Sequence, residues 1–200
     1  MRFLVFLSIL ISVGFPMSNY AATNTFKTAI FAGGCFWCMQ SDFDKVPGVV
    51  KTVVGYTGGT LVNPSYEQVS EGGTGHFEAI EVTYNPKVTN YKKLLNNFWH
   101  NVDPTDANGQ FCDKGMQYRS AIFYANTNQQ AIATDSKQQL LKTKRFKNIA
   151  TLILPASTFY PAEAYHQDYY KKNPVRYKFY RYTCGRDKRL AQVWGQLSEK

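Results

Sequence analysis

Short apolar runs bounded by glycine or proline predict the strands of this chain. Phe26–Ala32 is such a run and ends at a pair of glycines, which is typical of a buried strand. Later runs are rich in β-branched residues or alternate apolar and polar positions, and they predict three more strands: Val49–Tyr56, Phe77–Tyr84 and Arg119–Tyr124.

Two helices are predicted between these strands. One extends from Cys35 to about Lys45, where Pro47 and Gly48 would end it. The other carries apolar residues at i, i+3, i+4, i+7, i+8 and i+11, which form one stripe: Tyr91, Leu94, Leu95, Phe98, Trp99 and Val102. The resulting order, β-α-β-β-α-β, is the split pattern of a ferredoxin-like unit. We therefore expect an α+β fold with a ferredoxin-like core.

The second half of the chain has weaker patterns. A further helix is predicted from Thr127, with Gln130 completing a capping box, and Thr151–Leu154 predicts another short strand. From Tyr165 onward the composition predicts a long, loop-rich C-terminal tail with a last helix near Asp187–Leu197. These segments would add extra helices to the ferredoxin-like core.

The first 22 residues have the order of a secretory signal peptide. Arg2 precedes an apolar stretch from Phe3 to about Val13, and small and polar residues follow. The apolar part is too short for a permanent transmembrane helix. An uncleaved anchor or a buried first helix is the alternative. We expect residues 1–22 to be a signal peptide, residues 23–200 to be a single domain, and the product to be exported, periplasmic or secreted, without stable membrane insertion.

Composition agrees with one globular domain. The chain has 200 residues, of which 44% are hydrophobic and 18% charged, and its formal net charge is +9. Its four cysteines are Cys35, Cys38, Cys112 and Cys184. A domain of this size does not need disulfides for stability, so one closely spaced pair in an exported protein indicates redox chemistry more than scaffolding.

The closely spaced pair lies where a strand turns into a helix. Gly33 and Gly34 allow a sharp turn, so Cys35 is expected at a helix N-terminus, which stabilises a thiolate. Cys38 is three residues on and shares a helix face with Cys35, so one thiol could attack a substrate and the other could release the product as a disulfide. Phe36 and Trp37 would form an apolar wall, suited to a substrate with a small apolar group beside its reacting atom.

Other interpretations of the pair remain open at this point. A structural zinc site needs four ligands, but Cys112 and Cys184 are single and the three histidines show no paired spacing. Inert buried cysteines are the plainest alternative. Thioredoxin-like disulfide exchange is the strongest rival. No metal or organic cofactor is implied.

The segment from Lys171 to Arg189 is strongly basic. It contains eight Lys or Arg residues and one acid, and aromatic residues are interleaved: Tyr177, Phe179, Tyr180 and Tyr182. Such a strip resembles single-stranded nucleic-acid binding surfaces. In an exported protein we expect instead a solvated basic face attracted to anionic groups or acidic partners, with no nucleic acid bound.

A set of motifs, in order along residues 26–195, resembles the A-type peptide methionine sulfoxide reductases. The motifs are GGCFWC (33–38), GYTGG (55–59), NPSYEQV (63–69), GHFEAIEV (75–82), DPTD (103–106), QYRSAIFY (117–124), AEAYHQDYY (162–170) and KNP (172–174). Each is weak alone, and their number and order are specific. The family repairs methionine sulfoxide.

The resemblance implies roles for individual residues. Cys35 would attack the sulfoxide sulfur as a thiolate, leaving methionine and a sulfenic acid. Glu78 matches the family's acid. Since it lies between apolar neighbours on a predicted strand, burial would raise its pKa and keep a proton available. Tyr66 and Tyr118 match two phenols that hydrogen-bond the sulfoxide oxygen, and Asp113 matches an acidic residue that orients the site.

The remaining assignments concern the substrate methyl group and the electrons. Phe36 and Trp37 would hold the S-methyl group of the substrate. The family commonly has glycine where this chain has Cys38, so the resolving residue is open between Cys38 and Cys184. We favour Cys38, since a short loop closes at little entropic cost, and treat Cys112 as a bystander. The resemblance further implies preference for the S epimer and a thioredoxin-like dithiol donor. We expect a monomer.

Overall fold

The computed structural model describes residues 25–195, which form seven α-helices and two β-sheets. The strands are β1 (Lys27–Gly33), β2 (Val49–Thr57), β3 (Phe77–Tyr84), β4 (Gly109–Gln110), β5 (Asp113–Lys114), β6 (Ser120–Tyr124), β7 (Leu152–Pro155) and β8 (Tyr160–Pro161). The helices are α1 (Phe36–Phe43), α2 (Tyr66–Glu71), α3 (Tyr91–His100), α4 (Thr127–Lys142), α5 (Tyr169–Lys172), α6 (Pro174–Thr183) and α7 (Arg186–Trp194). The expected signal peptide lies outside the described residues.

The large sheet is mixed and has six strands in the order β7-β6-β1-β3-β2-β8. The strands β6, β1, β3 and β2 pair antiparallel, and β7 runs parallel to β6. The small sheet is the hairpin β4-β5. The fold is therefore α+β, and all four predicted long strands and both predicted helices between them are present.

Both faces of the large sheet are buried, which explains the continuous apolar run in β1. Phe31 points to one face, where its ring stacks at 5.1 Å on Phe43 of α1 and at 5.3 Å on Phe98 of α3. Ala32, its neighbour, belongs to the cluster on the other face with Phe77 and Phe123. Because successive strand residues point to opposite faces, only an uninterrupted apolar run can bury both.

Two helices differ from the sequence prediction: α4 has a different N-cap residue, and α2 was not predicted. The side chain of Asn126, and not that of Thr127, caps α4 by accepting the Gln129 N–H. No element was predicted between β2 and β3, but this region contains α2, which begins with a complete capping box between Ser65 and Gln68. A serine followed three residues later by glutamine signals this start in the sequence.

The prediction of a loop-rich C-terminal tail is wrong. From Tyr169 to Trp194 the chain is almost continuously helical in α5, α6 and α7. Two cations, the half-buried Arg181 and the buried Arg186, hold this segment against α1. Arg181 donates two hydrogen bonds of 3.0 Å to the Asp42 carboxylate, and the Arg186 guanidinium lies 3.8 Å from the same group. The basic character of the tail hid these inward-facing side chains from a sequence argument.

Membrane-spanning helices are not found between residues 25 and 195: none of the helices there is long and apolar enough to cross a bilayer.

The turn between β1 and α1 generates a prediction. Gly34 has φ +78°, and a Cβ added there would lie 2.6 Å from the Cβ of Gln110. We expect Gly34→Ala to lower the free energy of unfolding by about 2–5 kcal/mol, the sum of left-handed backbone strain and overpacking. Urea denaturation of the folded domain would measure this.

The matched control is Gly73→Ala. Gly73 has φ +81° but nothing within 4 Å of the added Cβ. It should lose only about 1–2 kcal/mol from backbone strain. Equal losses in both variants would show that the contact with Gln110 is not what restricts the turn.

Candidate active site

Cys35 occupies the N-cap position of α1, directly after the glycine turn. Its side chain is 6% exposed, and that of Cys38 is 1% exposed. The two thiols hydrogen-bond each other, as expected for residues one turn apart. Tyr177 of α6 is buried against the same pair. The pair is therefore an enclosed dithiol that the C-terminal helices cover.

Glu78 lies on β3, beside the first turn of α1. It is 3% exposed, between Phe77 and Ala79, and its Oε2 accepts the backbone N–H of Phe36 at 3.0 Å. Burial raises the pKa of Glu78 to about 8, although that hydrogen bond opposes the shift. At neutral pH the carboxyl group is therefore mainly protonated, and it lies beside the first turn of the helix that begins at Cys35.

Asp113 approaches the same helix from the β4-β5 hairpin. Its carboxylate accepts the backbone N–H of Cys35, and its Oδ2 accepts the hydroxyl of Tyr180 at 2.6 Å. Burial raises the pKa of Asp113 above its usual value. Glu78 and Asp113 together occupy the first N–H groups of α1, the donors that a helix N-terminus would otherwise offer to a thiolate.

The thiol with the lower pKa is Cys38 and not, as expected, Cys35. Burial, followed by contact with Cys38 and the nearby Glu78 and Asp113 carboxyls, raises the pKa of Cys35 well above its usual value. The hydrogen bond from Cys35, assisted by the Arg186 cation, lowers the pKa of Cys38 to about 7 despite burial. In the resting pair, these opposite pKa shifts favour a thiolate on Cys38 over one on Cys35.

Two phenols face this pair. Tyr66 is the first residue of α2, and Tyr118 ends a short 3₁₀ turn before β6. Their hydroxyls hydrogen-bond each other, and burial raises the pKa of Tyr66 to about 12 and that of Tyr118 further. Both interact electrostatically with Cys35 and Glu78. They remain protonated at neutral pH and can donate hydrogen bonds.

Phe36 and Trp37 do not contribute equally to an apolar wall. Phe36 is 1% exposed and packs against Tyr56, with ring centroids 6.0 Å apart. Trp37 is half-buried and stacks at 3.8 Å on Tyr169, while its Nε1–H donates to His166 Nδ1 at 3.0 Å. The Trp37 indole therefore fixes the His166 ring by a hydrogen bond.

Cys184 is bonded to Cys112, so the expectation that Cys112 stands apart is wrong. The disulfide links the β4-β5 hairpin to the C-terminal cap of α6 across 72 residues. Cys112 is exposed, whereas Cys35 and Cys38 are free and buried. Within residues 25–195, Cys112, Asp113 and Cys184 form the one cluster with ligand atoms close enough for a metal ion, and both of its sulfurs are in the disulfide.

Sequence reasoning missed two residues that shape the site. Tyr180 contacts both Asp113 and the Cys35 thiol. Glu163 accepts the backbone N–H of Tyr66 at 2.8 Å and the hydroxyl of Tyr56 at 2.9 Å, which places α2. Glu163 lies in the AEAYHQDYY motif and could have been found there. Tyr180 lies in the basic tail, and nothing in its sequence context distinguishes it from the neighbouring tyrosines.

The arrangement suits chemistry in which a sulfur nucleophile and an acid act on one substrate. A thiol with a basic thiolate neighbour supplies the nucleophile, and a neutral buried carboxyl supplies a proton. Two phenols donate hydrogen bonds to a polar substrate atom between them. A second thiol one turn away can form a disulfide with the first.

Comparison with known proteins places the chain in a family. The family model described as peptide methionine sulfoxide reductase matches residues 27–198. A curated relative, the peptide methionine sulfoxide reductase MsrA of Halalkalibacterium halodurans, is 53% identical over 171 residues, which cover 85% of this chain and 97% of the relative.

Solved structures agree with this match. The reduced form of Mxr1 from Saccharomyces cerevisiae superimposes with a TM-score of 0.71 at 35% identity and covers 75% of this chain and 87% of its own. Mxr1 in complex with Trx2 has a TM-score of 0.51 at 25% identity and covers 72% and 84% of the two chains. With a family match over most of its length and relatives of this similarity, the chain belongs to the peptide methionine sulfoxide reductase family.

Proposed function

We propose that this enzyme reduces the S epimer of methionine sulfoxide in oxidised proteins to methionine, with Cys35 as nucleophile and Glu78 as the acid. The observation that carries the proposal is the burial of Glu78. A carboxyl group with a pKa of about 8 is hydrogen-bonded to the first turn of the helix that begins at a buried thiol. An acid kept neutral in that position is what cleavage of a sulfur–oxygen bond requires.

The first step is attack on the sulfoxide. Cys38, whose pKa is about 7, accepts the Cys35 proton as the Cys35 sulfur attacks the sulfoxide sulfur. Glu78 protonates the sulfoxide oxygen, which is a poor leaving group until then. The oxygen is transferred as hydroxyl to the Cys35 sulfur. The products are methionine and a sulfenic acid on Cys35, and the two electrons come from the Cys35 sulfur.

The surrounding side chains orient the substrate. Tyr66 and Tyr118 donate hydrogen bonds to the sulfoxide oxygen, and Phe36 and Trp37 contact the S-methyl group. Asp113 is a positioning residue. Its carboxylate accepts hydrogen bonds from the Cys35 backbone N–H and from the Tyr180 hydroxyl, and so orients both residues. These assignments use the residue types that the positions require: donors at the oxygen, apolar rings at the methyl group.

The second step resolves the sulfenic acid. The Cys38 sulfur attacks the Cys35 sulfur, and the proton that Cys38 took up in the first step passes to the leaving hydroxyl. Water leaves, and a Cys35–Cys38 disulfide forms. Proximity supports Cys38, since its thiol already hydrogen-bonds Cys35, whereas Cys184 is bonded to Cys112. The Cys112–Cys184 pair, once reduced, can exchange with the inner disulfide and return the catalytic thiols. This assigns Cys184 to recycling.

A thioredoxin-like dithiol protein supplies the electrons. The yeast Mxr1 structure contains its partner Trx2, and that neighbour supports the same class of donor here. Thioredoxin-like disulfide exchange as the enzyme's own activity is not favoured. Disulfide exchange does not require a neutral Glu78 beside two phenols, because no oxygen atom is protonated in that reaction.

We infer the location and the assembly of the protein from its sequence. The positive, apolar and small-residue order of residues 1–22 supports export to the periplasm or outside the cell, followed by a single domain from residue 23 that acts as a monomer. The antiparallel order β6-β1-β3-β2, with α1 and α3 as connections, supports a ferredoxin-like unit at the centre of the sheet.

The two shifted pKa values generate a pH prediction. The Cys38 thiolate increases as pH rises through about 7, and the protonated form of Glu78 decreases as pH rises through about 8. We expect the single-turnover rate of methionine S-sulfoxide reduction to be bell-shaped, with its maximum between these values. Rapid quenching at each pH, with product quantified by chromatography, would measure the rate.

Glu78→Gln tests the descending limb. The amide keeps the shape but cannot donate a proton from a neutral acid, so the rate should fall about 100-fold or more and lose its decline above pH 8. Reduction of the Cys112–Cys184 disulfide by thioredoxin in the same variant is the control and should not change. A variant that keeps the wild-type rate would remove Glu78 from the mechanism.

The cysteine variants separate attack from recycling. Cys35→Ser should abolish sulfoxide reduction, because the nucleophile is missing. Cys38→Ser should release at most one methionine per enzyme and then stop with thioredoxin as donor. Mass spectrometry after one equivalent of methionine S-sulfoxide should detect a Cys35–Cys38 disulfide in the wild-type protein. If Cys38→Ser recycles normally while Cys184→Ser does not, the resolving residue is Cys184.

A further inference from the structure

The outer face of α6 carries an exposed apolar stripe. Val175, Phe179 and Tyr182 are 81%, 70% and 83% exposed. They are spaced i, i+4 and i+7, so they lie in one row along the helix. We refer to these three residues as the outer stripe. Large apolar residues in a contiguous exposed row are typical of protein interaction surfaces.

The opposite face of α6 is firmly packed. Tyr177 is buried against Cys38, Tyr180 donates to Asp113, and Arg181 pairs with Asp42. The helix therefore already has its buried face, and the outer stripe is not a core face that awaits packing within the domain. A rigid helix that presents aromatic residues to solvent can bind a partner at low entropic cost.

The charge around the outer stripe is positive. Arg176 and Lys178 flank it on α6, and Lys172 and Lys188 are exposed nearby in sequence on the adjoining helices. The acid in this stretch, Asp187, is engaged by Arg181 at 2.7 Å. A partner that covers the stripe is therefore complementary if it carries acidic groups around an apolar centre.

The outer stripe leads directly to an accessible disulfide. Tyr182 is two residues before Cys184, which is bonded to the exposed Cys112. The inner thiols are buried beneath α6, so a protein donor can touch the Cys112–Cys184 bond but not Cys38. A protein docked on the stripe would have its own reactive group at the end of the helix, beside the accessible sulfur.

We propose that the outer stripe, with Arg176 and Lys178, is the docking surface for a dithiol donor protein whose reactive cysteines are surrounded by apolar and acidic residues. This inference rests on the proposed function, since it concerns the supply of electrons. A donor thiolate attacks one sulfur of Cys112–Cys184, and the other leaves as a thiolate. The second donor thiolate then attacks the mixed disulfide. Two electrons pass to the enzyme, and the donor leaves as a disulfide.

A membrane is the competing occupant, because exposed aromatic and basic residues also bind anionic lipid. The adjacent disulfide decides between them. A lipid surface brings no reductant to Cys112–Cys184, whereas a dithiol protein must dock beside that bond to react with it. Binding of a dithiol donor protein explains both the exposure of the outer stripe and its position beside the accessible disulfide.

The test compares a protein donor with a small one. Phe179→Ser/Tyr182→Ser and Lys178→Glu are the variants, and Phe26→Ser and Lys87→Glu are matched controls at exposed positions outside α6. We expect each α6 variant to raise the KM for purified thioredoxin about tenfold, equivalent to ~1.4 kcal/mol, while turnover with dithiothreitol stays at the wild-type rate. The controls should match the wild type in both assays.

A sulfoxide-free measurement separates this inference from the proposed function. Reduction of Cys112–Cys184 by thioredoxin is followed by mass spectrometry without any substrate, and its second-order rate constant should fall about tenfold in the α6 variants. If methionine sulfoxide is never reduced but this difference remains, the proposed function fails and the docking surface stands. Unchanged KM and rate constants in both variants would overturn the docking surface. So would loss of binding to phosphatidylglycerol vesicles with thioredoxin kinetics intact.

Discussion

The hydrogen bond from the Phe36 backbone to the buried Glu78 carboxyl is the interaction on which the site depends. It joins β3 to the first turn of α1 and leaves the carboxyl without access to water. Burial keeps the group neutral, so the enzyme holds a proton where an oxygen has to leave. Asp113 takes the neighbouring N–H of Cys35. Because the N–H groups of Phe36 and Cys35 are both hydrogen-bonded to carboxyl groups, the N-terminus of α1 orients these carboxyls. It does not by itself lower the pKa of the Cys35 thiol.

Activation of the thiols instead comes from their mutual contact and from cations on the C-terminal helices. Arg186 is 1% exposed and donates to the carbonyl of Asn101 at 2.7 Å, and its charge favours the Cys38 thiolate. Arg181 acts in the same direction. A thiolate one turn from the nucleophile can serve first as proton acceptor and then as resolving group. In the proposed mechanism, one residue pair thereby accounts for both halves of the reaction.

The two faces of α6 connect the chemistry with its electron supply. Tyr177 and Tyr180 on the inner face enclose the thiols, which excludes water and also excludes a protein donor. The donor therefore needs an accessible sulfur elsewhere, and the helix ends at one, Cys184. The ion pair of Arg181 with Asp42 holds the helix in this position. Enclosure of the catalytic pair and exposure of the outer disulfide are two consequences of the same packing.

The sequence by itself determined the four long strands, the helices α1 and α3 between them, and the family, because these depend on local apolar periodicity and on motif order. The burial of Glu78 was expected only from the family resemblance, because the alternation of apolar and polar residues in its strand would by itself favour an exposed side chain. The helical tail, the Cys112–Cys184 bond and the split of the basic segment into inward Arg181 and outward Lys178 were decided by tertiary structure. So was the lowered pKa of Cys38, because charges from distant segments contribute to it and no local pattern records them.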